Sequence, residues 1–163
     1  MLDLLSRELN RAAEWVMAAL LSALTVLVGA QIAGRFLFGY SIFWSDELAR
    51  FLLVWIAFLG MSVGVRRGAH PGVDSLVRAL PCRFRRAAAY AAIACSLLFF
   101  LVMVWHGTLL AQHTWLQRSP SLGLRMSLPY LAVPFAGLLM GLHTLALAFR
   151  GARTSEPAGG RDG

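Results

Sequence analysis

Acidic residues are scarce in this chain, and none of the eight falls within the core of any long apolar run. A self-sufficient pump or exchanger places an ionisable group at mid-membrane, because that is where an ion or proton is coupled to movement. Glu14 stands only at the edge of the first run. Cysteine is nearly absent too: Cys82 and Cys95 have no partner at metal-ligand or redox-motif spacing, which excludes a disulfide framework and a zinc site. Lysine is missing altogether, so the formal charge of +7 comes entirely from arginine. There is no internal repeat, and the apolar runs do not alternate with polar residues as the strands of a membrane barrel would.

What remains is apolar. Hydrophobic residues make up 58% of the 163 positions, too large a share for a soluble domain of this length. A bilayer core of about 30 Å is crossed by roughly 20 helical residues. Four runs of about that length occur, near 15–33, 48–65, 87–111 and 128–149. The expected fold is therefore an all-α integral membrane protein with four transmembrane helices over residues 1–150, followed by a disordered Gly- and Pro-rich tail at 151–163. Val28-Gly29-Ala30 formally satisfies the small-residue rule for signal cleavage. The acids ahead of the run, its length and the three runs after it favour an uncleaved anchor instead.

The arginines report orientation. Two lie around the first connector (Arg35 and Arg50) and two in the third (Arg118 and Arg125), whereas the second connector and the two ends hold the other eleven. Because basic residues are retained inside, both termini and the second connector are expected in the cytoplasm. That placement beside apolar runs, without a soluble basic face, argues against nucleic-acid binding. Within the second connector, Pro71 suits a first helical turn, and Val73, Leu76, Val77 and Leu80 recur at helical spacing. A short amphipathic helix on the inner surface is expected there, its arginines facing lipid head groups.

Three patterns carry further expectations. At the outer end of the first hairpin, Ser45 is placed to cap the second helix. Asp46 and Glu47 favour its positive pole, and Arg50 follows within reach of both. Gly60 and Gly64, and Gly137 and Gly141, have the small-xxx-small spacing of closely packed membrane helices, while Pro129 and Pro134 mark a helix start and a bend. The four histidines raise the alternative of a b-type haem anchor. His106 and His143, however, lie roughly 20 Å apart in depth at about 1.5 Å per residue. No cofactor is expected. A second alternative, an autonomous small exporter, meets the lack of a mid-membrane acid.

The segment Arg35 to Gly60, with its aromatic turn, Trp44-Ser45-Asp46-Glu47 and the run from Trp55, resembles the small permease subunit of TRAP (tripartite ATP-independent periplasmic) transporters. His70 followed by Asp74, Leu80-Pro81, and Ser127-Leu128-Pro129 with Tyr130 and Pro134 are similar to that family's later landmarks, so the likeness covers about residues 10 to 150. Where the family commonly has two glutamates, this chain has Asp46 and Glu47. The resemblance implies a non-enzymatic subunit of an inner-membrane importer of an organic acid. Its partners would be a large permease subunit, a periplasmic substrate-binding protein and the lipid bilayer. On that reading Trp44, Asp46, Glu47 and Arg50, then His70 and Asp74, are the expected partner contacts.

Overall fold

The computed structural model describes residues 2–40, 43–67 and 82–154. Within them α1 spans Leu2–Phe38, α2 Ser45–Arg66, α3 Cys82–His113, α4 the single turn Ser127–Tyr130, and α5 Ala132–Thr154. Four stretches are long and apolar enough to cross a membrane: Asp3–Leu37, Ser45–Arg66, Ala87–His113 and Ser127–Phe149. Among the described residues no strand forms, and the only extended pairing is the isolated antiparallel bridge of Arg118 with Arg125. The chain is all-α, as its apolar runs dictate. The surface helix expected over Val73 to Leu80 lies outside the described residues, as do His70 and Asp74.

α1 is much longer than the run that announced it. Its 37 residues extend about 55 Å at 1.5 Å per residue, well beyond a bilayer core of about 30 Å. The charged residues before Trp15 continue the helix because they are spaced to support it. Asp3 occupies the first turn, where the helix dipole favours a carboxylate, and meets Arg7 at 3.2 Å one turn on. Asn10 likewise donates to Glu14 at 3.0 Å. At the far end Gly39 adopts φ +64°, and the Tyr40 N–H returns to the Gly34 carbonyl at 3.2 Å. A left-handed residue of this kind stops a helix cheaply only if it is glycine.

The start of α2 departs from expectation. Ser45 is the first helical residue rather than the cap; Trp44 holds the cap position and makes no side-chain cap bond. A capping side chain reaches back to the first turn from an extended backbone, and Trp44 is already right-handed at φ −82°, ψ −15°. The fourth apolar run begins with α4 and breaks at Leu131 before α5. Pro134 has no N–H to continue the ladder, but Leu131 N–H to the Ser127 carbonyl (2.9 Å) and Phe135 N–H to the Leu131 carbonyl (3.2 Å) carry the chain across.

α5 is the centre of the packing, touching α3, α2 and α1, while α1 also lies along α2. Among the described residues the Cα atoms of α1 and α3 do not come within 8 Å, so the helices form a row in the order α3, α5, α2, α1, in which α1 also touches α5. Ala13, Leu59, Val63 and Leu139 join α1, α2 and α5; Val65, Phe100, Ala136 and Met140 join α2, α3 and α5. Lipid supplies little hydrophobic drive between helices, so close approach depends on small residues. α3 meets α5 at Gly107 and Gly137: a Cβ on Gly107 would lie 2.8 Å from Pro134 Cδ, and one on Gly137 3.0 Å from Val104 Cγ2. The spacing read from the sequence selected a partly different set. Gly60 sits in ordinary contact with Met17, and Gly64 and Gly141 face open space. The outer faces of the row expose Trp15, Val26, Phe36, Leu98, Phe99, Leu101 and Trp105, a surface suited to hydrocarbon.

Candidate partner-binding site

At the end of the row formed by the start of α2, the four described residues expected to touch a partner point in different directions. Trp44 is partly exposed and Asp46 exposed, the latter accepting a hydrogen bond from Gln31 Nε2 of α1 at 2.8 Å. Arg50 is exposed and donates from Nε to the Asp46 backbone carbonyl at 3.3 Å rather than to a carboxylate. Glu47 turns inward. Its Oε2 receives the backbone N–H groups of Ser121 at 3.0 Å and Leu122 at 3.2 Å, from the connector between α3 and α4. Charge-assisted bonds to backbone donors are among the stronger kinds, so Glu47 moors that connector to α2.

The moored connector is an ordered tongue. Ser119 N–H bonds the Leu124 carbonyl at 2.8 Å and Met126 N–H the Gln117 carbonyl at 3.0 Å. Gly123, at φ +66°, closes the tip by donating to the Ser119 carbonyl at 3.1 Å. The Arg118 side chain donates to the Gly123 carbonyl at 3.1 Å, and the Arg125 guanidinium carbon lies 4.4 Å from the Trp115 ring centre. Trp115 and Leu116 are exposed beside them.

The opposite end holds a second polar cluster. Ser6 Oγ lies 2.8 Å from Nδ1 of His143, which is wholly buried on α5. Arg66 of α2 reaches the same hydroxyl through Nη1 and meets Asp3 at 3.3 Å through Nη2. A guanidinium only donates, so the Ser6 oxygen accepts from Arg66, and the same hydroxyl is hydrogen-bonded to His143 Nδ1. Nearby, Arg67 pairs with Glu14 at 3.0 Å on the exposed side of α1. Reading the sequence missed this cluster because Asp3 and Ser6 precede the apolar run; the Asp3–Arg7 spacing was the available signal that the helix began earlier.

A chain with four long apolar helices and no acid within the apolar cores invites comparison with known membrane proteins. The profile of the DctQ component of tripartite ATP-independent periplasmic transporters matches residues 24–154. The chain belongs to this family. It is 31% identical over 182 aligned residues to the C4-dicarboxylate TRAP transporter small permease protein DctQ of Rhodobacter capsulatus, covering 92% of this chain and 80% of that one. The protein of the same description from Vibrio cholerae is 29% identical over 157 residues, 83% of this chain and 67% of the relative. A third relative, the isethionate TRAP transporter permease protein DctMQ of Oleidesulfovibrio alaskensis, is 32% identical over 104 residues. That match spans 63% of this chain but 16% of the relative. As a DctQ-family protein with four apolar helices, the chain is a multi-pass component of an inner-membrane transporter.

Proposed function

We propose that this chain is the membrane scaffold of a TRAP importer for an organic acid: its helix row packs beside a large permease subunit and holds the transporter's static part in the bilayer. The observation that carries the reading is the location of its charges. In the described helices the carboxylates lie outside the apolar cores, and all but the exposed Glu8 are engaged within the protein: Asp3 with Arg66, Glu14 with Arg67, Asp46 with Gln31 and Glu47 with the tongue. A translocating subunit needs a polar site at mid-depth, and these helices offer extensive apolar flanks instead. The DctMQ relative, in which the matched segment is a small part of a much longer permease, supports a large permease as the partner.

The arginine distribution supports a topology with both termini and the second connector in the cytoplasm. The start of α2 and the tongue then face the periplasm. There Trp44, Asp46, Glu47 and Arg50 contribute to partner contact, Glu47 by way of the tongue it holds, and a periplasmic binding protein docks. His70 and Asp74 contribute on the cytoplasmic side.

Affinity purification of this chain from its native membrane in mild detergent, with mass spectrometry of the retained proteins, tests the reading. One large multi-span permease in near-equal amount is the expected result. The chain alone, or with a cytochrome, would contradict it and revive the exporter or haem-anchor alternatives.

A further inference from the structure

Between Gln112 and Leu131 the chain carries Arg118 and Arg125 and no Asp or Glu. Among the described residues the one carboxylate that reaches this tongue, Glu47, is buried and held by the Ser121 and Leu122 N–H groups. Both arginines are exposed and stand opposite one another in the antiparallel bridge. The bonds flanking them, Ser119 to Leu124 and Met126 to Gln117, make this a non-hydrogen-bonded pair, in which Cα atoms lie about 4.5 Å apart and side chains are closest. Like charges placed so oppose folding. The arginines splay in response: Arg125 folds back over Trp115 toward α3, while Arg118 reaches Gly123 toward the tip.

We propose that this tongue is a docking surface for a soluble protein that presents carboxylates, and its paired arginines are the electrostatic half of that contact. The proposal rests on the reading that a periplasmic binding protein visits this face, and it names the chemistry of the meeting. Three features select that occupant. The two guanidinium groups are spread along the ladder rather than converging on one phosphate-sized point, which matches an extended acidic face better than a single lipid headgroup. Exposed Trp115 and Leu116 beside them supply the aromatic, arginine and apolar mixture typical of interface hot spots. The Glu47 mooring and the Gly123 turn fix the tongue in advance, so little ordering remains to oppose binding.

The test uses the complex of this chain with its large permease, placed in nanodiscs of phosphatidylcholine, and the binding protein encoded beside it. The dissociation constant is measured across a salt series for the native complex and for variants carrying both Arg118→Gln and Arg125→Gln or both Arg118→Glu and Arg125→Glu. Expected are weaker native binding as salt rises, at least about tenfold weaker binding for the glutamate variant at low salt, and a flattened salt dependence for both variants. Native binding indifferent to salt, or glutamate and glutamine variants that bind like the native complex, overturns the proposal while leaving the scaffold reading intact. So does native binding that appears only when anionic lipid is present, which would assign the arginines to head groups. Should the glutamate variant fail to assemble, the glutamine variant and the native salt series decide. A native chain that retains no large permease defeats the underlying reading instead.

Discussion

Where α1 begins and α2 ends, the helices are joined through side chains: a guanidinium, a hydroxyl, a carboxylate and, from the middle of α5, an imidazole meet around Ser6. Where α2 begins, the main attachment is a carboxylate that grips two backbone N–H groups of a connector 74 and 75 residues further along the chain. The contrast teaches what each end does. The side-chain cluster fixes the register of α1, α2 and α5, since each group hangs from a helix. The Glu47 mooring leaves register alone and fixes a loop.

That comparison can be sharpened by breaking its parts in turn. The largest effect is expected just inside the tongue end, where Gly107→Leu would drive side-chain atoms into Pro134, whose Cδ and N already lie 2.8 and 3.1 Å from an added Cβ. Backbone cannot yield as a flexible side chain can, so a loss near the upper end of about 1–3 kcal/mol is expected in reversible unfolding in mixed micelles. An unchanged midpoint would show that α3 does not cross α5 there. Next, Ser6→Ala strands the buried His143 Nδ1 and should cost about 1–2 kcal/mol by the same measurement. It should also leave exchange of the tongue amides unaltered.

Glu47→Ala should do the reverse. Exchange of the Ser121 and Leu122 amides should rise by about tenfold, while α1 and α5 amides keep their protection. Protection that falls equally throughout would mean that the mooring supports the helices and not only the loop. Smallest of all is Glu14→Gln. Its pair with Arg67 is exposed, and pairs of this kind contribute little once solvent and salt screen them, so the unfolding midpoint should not move measurably.

How far these features could be read in the sequence follows from the same contrast. The four spans were legible because apolar runs of membrane length admit few other structures, and Pro134 announced the interruption before α5. The true start of α1 was obscured because Asp3, Arg7, Glu8 and Arg11 look like an end to the run, although i,i+4 pairing carries the helix through them. Ser45 looked like a cap by residue type alone; only backbone angles show that Trp44 leaves it no such role. Asp46 and Glu47 were singled out together, yet adjacent residues on a helix face different ways. One went to α1 and the other to backbone donors that no residue type advertises. Gly107 escaped notice since its partner is a proline on another helix rather than a second glycine four residues away.

The central claim is that this chain supports transport without conducting it. The most direct measurement is organic-acid uptake, C4-dicarboxylates among the substrates tried, by proteoliposomes under an imposed ion gradient. Vesicles containing this chain alone would be compared with vesicles that also hold the large permease and are supplied with the binding protein. Uptake only in the complete set is the predicted result. Gradient-driven uptake by this chain alone would contradict the account, because a translocation site would then lie within these helices.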